Sequence, residues 1–377
     1  ARRRAGARRR GTVRIVIAGG GTAGHVTPSL AVAERLVAAG ATVEFVGSSS
    51  GQEARLVPAA GHRFHGVAAM PFRREPSLRT AAAPFVALRS VAACRPIVRG
   101  AGAVLGVGGY ASVPAALAAR SVGAPVVLHE QNAIPGLANR VLSLAATAAA
   151  VSFEGTRMPG RLRVEVTGTP VREDILRVPD RRDELARAAR ERFGLEPGRT
   201  TVLVTGGSLG ALHLDRTVAA ALPLLAARAD LQLLVLTGPA HEAVVAEAID
   251  GGAPLVVRAI PYLDRMDLAL AVADMAVSRA GANTVHELAV CGVPAILVPY
   301  PHATGGHQEA NARVLERRGA AEVLLDRDLT PDRLTRRILA LAGDGARRAA
   351  LASAAAAWAK PDADRRVARL VLEVARR

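Results

Sequence analysis

His25 stands directly behind a glycine turn, Gly19-x-Gly21-x-x-Gly24, that follows the apolar run 13–18 (VRIVIA). Strand, glycine turn and helix start, in that order, put an imidazole on the carboxyl edge of a parallel sheet, where ligands bind. A histidine there can take a proton near neutral pH; helix capping is its plainer role. A second turn, Gly206-Gly207-Ser208-Leu209-Gly210, follows the run at 201–205 (TVLVT). Backbone N–H groups and a hydroxyl at a helix start can hold phosphate without a metal, although a tight turn with no ligand reads the same way. Neither turn ends in the Gly-Lys-Ser/Thr of a nucleoside triphosphatase, which disfavours ATP hydrolysis. The first also fits the dinucleotide fingerprint, with Glu44 twenty residues past Gly24, so an NAD-dependent oxidoreductase stays open.

Three polar clusters close apolar runs: His129-Glu130-Gln131-Asn132, then 279–287 (RAGANTVHE), then 302–311 (HATGGHQEAN). Three such clusters at strand carboxyl ends argue for one lined cleft. A helix starting near Asn283 could meet a pyrophosphate, and Glu287, one turn on, could accept hydrogen bonds from two vicinal ribose hydroxyls. Asp326-Arg327-Asp328 has the look of a metal-chelating pair, but Thr330-Pro331 follows as N-cap and first-turn proline, so turn chemistry is expected. His302 and His307 lack a matching carboxylate set, and no metal site is expected.

Short apolar strands alternate with helices throughout, the pattern of parallel α/β units. Strands are expected at 13–18, 42–47, 103–107, 125–129 and 148–152, then at 201–205, 231–237, 255–260, 275–278 and 295–299. Helices are expected at 28–39, 81–93 and 112–121. The charge-dense segment 172–199 separates the two sets, and both open alike. Two Rossmann-like parallel-sheet domains facing across a cleft are therefore expected. The units are a basic arm at 1–12, a first domain at 13–170, a second at 171–357, and a helix at 358–377 packing back on the first.

The chain has 377 residues, 50 % of them hydrophobic, enough for two cores. Its two cysteines, Cys94 and Cys291, have no CxxC partner, which fits a reducing compartment. The net charge is +16, and of 49 basic residues only Lys360 is lysine. Such a surface draws phosphorylated substrates, anionic lipid or nucleic acid. With 3 % aromatic residues to stack on bases, nucleic acid is the least favoured of these. Seven arginines in Ala1–Arg14 precede a strand rather than an apolar cleavage segment, so no signal peptide is expected. The uncharged run 100–119 contains five glycines and Pro114, and reads as strand, loop and helix start rather than a membrane span.

GGTAGH at 20–25, GVGGYASVP at 106–114, HEQN at 129–132, TPVR at 169–172, GGSLG at 206–210, GANTVHE at 281–287 and HQEAN at 307–311 together resemble the MurG family. These are bacterial transferases that carry GlcNAc from UDP-GlcNAc to a lipid-linked acceptor in peptidoglycan synthesis. The resemblance implies a GT-B fold and inverting transfer to the 4-hydroxyl of MurNAc in lipid I, with no metal and no cofactor. It implies His25 as general base on the acceptor. Thr22, Ala23 and Gly24 would line the sugar and diphosphate side, and Asn132 the GlcNAc end. Arg172 and Ser208 would lie near the phosphates, and Leu263 near uracil. Ala282, Asn283, Thr284, Val285, His286 and Glu287 would hold diphosphate and ribose, and Gln308 the sugar. The chain departs from the family pattern at Ala23, Thr169, Leu209 and Leu263.

A lipid acceptor also implies a bilayer. Segment 72–99 carries six arginines and one glutamate among apolar residues, a basic amphipathic stretch of interfacial type. Phe72, Arg73, Arg74, Leu78, Arg79, Phe85, Leu88 and Arg89 are its expected membrane contacts; a core-facing helix with a solvated basic face is the other reading. The resemblance places the protein peripherally on the cytoplasmic face of the cell membrane, with UDP-GlcNAc, lipid I, an anionic membrane surface and other cell-wall and division proteins as partners, and no nucleic acid. Rival readings are a GT-B transferase with another acceptor, the oxidoreductase, and a non-catalytic anion binder suggested by charge alone.

Overall fold

In the computed structural model the described residues are 12–20, 23–68, 78–207 and 210–376. Seven strands form the first sheet: β1 (Arg14–Ala18), β2 (Thr42–Ser48), β3 (Arg63–Val67), β4 (Ala103–Gly106), β5 (Val126–Glu130), β6 (Ala148–Val151) and β7 (Arg163–Val166). Six form the second: β8 (Thr200–Thr205), β9 (Leu231–Leu236), β10 (Val256–Ile260), β11 (Met275–Ser278), β12 (Ala295–Leu297) and β13 (Glu322–Val323). Every pairing is parallel, in the orders 3-2-1-4-5-6-7 and 10-9-8-11-12-13. Helices cover both faces of such a sheet, so its central strands are apolar on both sides. VLVT of β8 and LQLLVL of β9 are buried throughout. This is the expected pair of Rossmann-like domains.

The order reverses between β1 and β4 in one sheet and between β8 and β11 in the other. These switch points open a crevice at the strands' carboxyl ends. Ala18 pairs with Gly106, and Thr205 with Ser278, so the two loops leaving each switch point start side by side.

The run 100–119 folds as β4, a glycine loop and the helix Ser112–Ser121. Strands β3, β7 and β13, which apolar runs did not announce, are all at sheet edges, where one side of the strand needs no apolar neighbour. β7 reads RVEV and is nowhere fully buried.

The last helix, Ala363–Ala375, inserts Val367, Leu370, Val371 and Val374 into the first domain's core beside Ile15 and Leu36. Its buried Asp364 accepts from Arg35 Nε at 2.5 Å. Phe153, just past β6, lies instead in the second domain's core with Val285 and Trp358. The chain thus joins its two halves by more than the linker.

Candidate active site

Two glycine loops interlock at the first switch point. Gly19 and Gly20 have φ of +141° and +142°, and Gly108 and Gly109 have +89° and +74°. A Cβ on Gly109 would stand 2.4 Å from the Gly20 carbonyl oxygen, and one on Gly20 within 2.2 to 2.5 Å of the Glu53 carboxyl group. Only glycine fits these positions. Glu53 is buried beneath the loop, where its Oε1 accepts from Ser48 N at 2.8 Å.

His25 lies in the first turn of the helix Ala23–Ala38, half-buried, its ring against Gly108. Burial pulls the imidazole below its ordinary value; Glu53 opposes that shift and His307, from the second domain, adds to it. The net shift is downward and favours the neutral ring, the state a base requires.

Across the cleft the helix Ala282–Val290 begins at Gly281, whose extended backbone starts the turn. The ladder opens with Val285 N on Gly281 O, so the N–H groups of Ala282, Asn283 and Thr284 have no acceptor within the helix. Asn283 Nδ2 donates to Gly24 O at 3.1 Å, bringing two helix N-termini together. Both present partial positive charge to the same space.

Within 282–287 the side chains divide between the core and the cleft side. Val285 is buried in the core, as is His286, whose ring lies 5.0 Å from Phe153 and 4.8 Å from Trp358. His286 Nδ1 pairs with Ala282 O at 2.8 Å, and burial pushes its pKa down to about 4. The helical period turns these two side chains and Ala282 inward, leaving Asn283, Thr284 and Glu287 toward the cleft side. Burial raises the Glu287 carboxyl, and the nearby Arg172 charge opposes that shift. Arg172 also reaches Asp174, at 3.5 Å, and the Asp264 carbonyl, at 3.4 Å, next to Leu263. Arg172, Glu287 and Leu263 thus share one corner of the second domain.

Asn132 and Gln308 are each held by hydrogen bonds of their own. Glu130 Oε1 accepts from Asn132 N at 2.9 Å. Gln308 Oε1 accepts from Ala280 N at 3.2 Å and Tyr300 N at 3.0 Å, which leaves its Nε2 as the group it can offer.

Several supporting residues carried no sequence signal. Asp215 is buried beneath the second glycine loop, where its Oδ2 faces Ala211 N and His241 Nδ1, each at 3.1 Å. Asp326 is more than turn chemistry: it pairs with the buried Arg279 at 2.5 Å and with His213 at 2.9 Å. Thr330 caps the following helix as expected. Glu44 pairs with His65 at 2.9 Å in mid-strand and does not reach a strand tip, which removes the ribose-reading acid of the oxidoreductase reading.

Thr22, Ser208, Leu209, Phe72, Arg73 and Arg74 lie outside the described residues. Ala23, Leu78, Arg79 and Phe85 are described as helical backbone only, whereas Leu88 and Arg89 are exposed.

Comparison with known proteins gives the family. Residues 15–151 match the glycosyltransferase family 28 N-terminal domain, and 201–367 its C-terminal domain. A protein of Clavibacter sepedonicus named UDP-N-acetylglucosamine--N-acetylmuramyl-(pentapeptide) pyrophosphoryl-undecaprenol N-acetylglucosamine transferase is 42% identical over 360 residues, spanning 94% of this chain and 95% of its own. Its namesake in Mycobacterium avium is 41% identical over 373 residues, 97% and 89% of the two chains. The crystal structure of Acinetobacter baumannii MurG superposes with a TM-score of 0.79 at 32% identity, covering 96% of this chain and 99% of that one. LpCGTa, whose crystal structure is in complex with UDP, shares the fold at 16% identity and a TM-score of 0.67, covering 96% of this chain and 99% of that one. The chain belongs to glycosyltransferase family 28 and, within it, to the MurG family.

Proposed function

We propose that this chain is an inverting GlcNAc transferase that acts on undecaprenyl-pyrophosphoryl-MurNAc-pentapeptide, with UDP-GlcNAc as donor. The observation that carries the mechanism is that His25 directly follows Gly24, whose carbonyl accepts from Asn283 at the N-terminus of the helix Ala282–Val290. His25 takes the proton of the acceptor 4-hydroxyl as that oxygen attacks the anomeric carbon. The bond from the anomeric carbon to the β-phosphate oxygen breaks on the opposite face, its electron pair leaves with UDP, and the configuration inverts.

The departing diphosphate gains negative charge, which fixed dipoles can meet. The N–H groups at 282–284, which have no acceptor within the helix, supply one such site, and Ser208 with the 206–210 loop a second, so the leaving group is served without a metal. Glu287 takes the ribose hydroxyls, Leu263 packs near uracil, Arg172 lies toward the phosphates, and Asn132 with Gln308 holds the sugar.

The acceptor places the protein on the cytoplasmic membrane surface, and the first domain suits that role. Leu137, Val141 and Leu144 fall at helical spacing along and just past the helix Leu137–Leu142, and are 64%, 52% and 72% exposed. The helices Leu78–Val98 and Ser112–Ser121 pack in the same layer and expose Leu88 and Leu117. Arg89, Arg120 and Arg140 accompany them. Exposed apolar groups beside arginines favour an anionic interface. Among the described residues no helix is long and apolar enough to cross a membrane.

The test is GlcNAc transfer from UDP-GlcNAc to a short-chain lipid I analogue in EDTA, followed by mass spectrometry, for the wild type and His25→Ala. Product from the wild type and a loss of about 100-fold or more in the variant are expected. UDP binding without product would point to a different acceptor.

A further inference from the structure

Asn311 is wholly buried on the helix His307–Arg317 and makes three hydrogen bonds with its single amide. Its Oδ1 accepts from Ala133 N at 2.9 Å; its Nδ2 donates to Ala280 O at 3.1 Å and to Asn132 Oδ1 at 3.2 Å. Ala133 N can only donate and Ala280 O can only accept, so the chemistry fixes which way the amide points. One bond stays within the second domain and two cross to the first.

Each partner belongs to the catalytic cleft. Ala280 precedes the N-terminus of the helix Ala282–Val290; Gln308 holds its N–H and Asn311 its carbonyl. Asn132 is gripped from its own domain by Glu130, a buried carboxylate whose other oxygen takes Gly136 N at 3.0 Å and Asn139 Nδ2 at 2.9 Å. Asn311 completes that grip from the opposite domain. Opening the cleft would strip two bonds from a buried amide and free Asn132 to turn; closing it restores both. A buried polar group left unmatched is costly, so the bonds bias the two domains toward this arrangement.

We propose that Asn311 is a positioning residue, acting through Asn132 and Ala280, that latches the two domains so that the sugar-holding Asn132 and the diphosphate-holding helix are set together. The proposal rests on the transferase reading above. Its chemistry predicts a selective loss: donor binding, made by the second domain, survives removal of the latch, while turnover, which needs both domains aligned, falls.

The test uses the full-length protein with Asn311→Ala, Asn311→Asp, Asn132→Ala and the Asn311→Ala/Asn132→Ala pair. Asn311→Asp keeps the volume and the acceptor but loses both donor bonds, so it carries the same expectation should the alanine variant not fold. For transfer to the lipid I analogue, kcat should drop by about 100-fold in each single variant, the scale of a misplaced reacting group, with UDP affinity about unchanged. Because Asn311 acts through Asn132, the pair should cost about the same 100-fold rather than the roughly 10,000-fold of independent sites. Independently of any acceptor, spin labels at the exposed positions 120 and 327 should report a single short interdomain distance for the UDP-bound wild type, and a longer or broader one for Asn311→Asp. Equal falls in UDP affinity and kcat, fully multiplicative losses, or an unchanged distance distribution would each overturn the latch. A wild type that binds UDP, closes, and yet makes no product would overturn the acceptor assignment alone.

Discussion

Asn283 of the second domain donates to the carbonyl oxygen of Gly24 at 3.1 Å, and the next residue along the first domain is His25. The proposed base and the proposed leaving-group site are thereby tied through one hydrogen bond, each at the start of its own helix. The buried Glu53 lies on the far side of the same glycine loop, close enough for its charge to act on the His25 ring.

That charge has a measurable consequence. Burial lowers the His25 pKa and Glu53 raises it, so the base is lost only when acid protonates the ring. Transfer should be flat through neutral pH and fall on the acid side, below the ordinary imidazole value. Glu53→Gln keeps an acceptor for Ser48 N but removes the charge, so the His25 pKa drops further and the acid limb moves to lower pH. The pH profile of kcat/KM for both proteins checks this; an unmoved limb would mean that Glu53 serves only the backbone beneath it.

The glycine loops allow a controlled comparison. Gly109→Ala places a methyl group 2.4 Å from the Gly20 carbonyl oxygen at a φ of +74°, against backbone rather than a flexible side chain. Gly123 has a nearly identical φ of +77° and open space around it. Gly123→Ala should cost about 1 kcal/mol, the conformational penalty alone. Gly109→Ala should cost about 3 kcal/mol or more and should also reduce turnover, because it moves the loop beside His25. Urea unfolding together with transfer rates separates the two effects.

The parts of this molecule that read directly from sequence are those whose physics is local. A buried parallel strand is a short apolar run, and a glycine turn before a polar residue marks a sheet edge, so the two domains and the four loops at the switch points were legible. The edge strands β3, β7 and β13 were not, because a strand solvated on one side need not look apolar. In the site, helical period alone could have shown that Val285 and His286 turn inward when Asn283 and Glu287 turn out; a motif treats consecutive residues as equals. Arg279 and Asn311 act through partners that lie far off in sequence. The Arg279–Asp326 pair joins residues 47 apart, and the Asn311–Asn132 bond residues 179 apart. No spacing rule reaches across such distances.

Acid should weaken the fold in a defined window. Burial holds His129 and His286 neutral, with pKa values pushed down to about 4 from 6.5. The unfolded chain takes up a proton on each near 6.5, which the folded chain refuses until about 4. Stability is therefore complete above the unfolded value, declines as pH falls between the two, and has lost up to about 3 kcal/mol per histidine at the lower end. His286→Gln should be less stable at pH near 7, where its packing against Phe153 and Trp358 is lost, but show a shallower decline with acid. Unfolding free energies measured across this range would test it; equal slopes in the two proteins would exclude His286 as a contributor.

The exposed stripe on the first domain lets the proposed membrane contact be tested apart from the chemistry. Leu137, Val141 and Leu144 point to solvent, away from the buried Asn139 and Leu142 that fix this segment beneath the Glu130 cluster. Replacing all three with serine removes apolar surface without touching that anchor. Fully burying one such side chain is worth about 1.5–3 kcal/mol. A shallow interfacial contact recovers only part of that, so binding to vesicles containing anionic lipid should weaken by about tenfold or more. Transfer to a water-soluble acceptor analogue should be unchanged, whereas transfer to the full-length lipid acceptor in those vesicles should fall. Vesicle cosedimentation and the two rates, measured side by side, decide the matter: loss of both rates would show that the segment supports the active site, and loss of neither would move the membrane contact elsewhere on the domain.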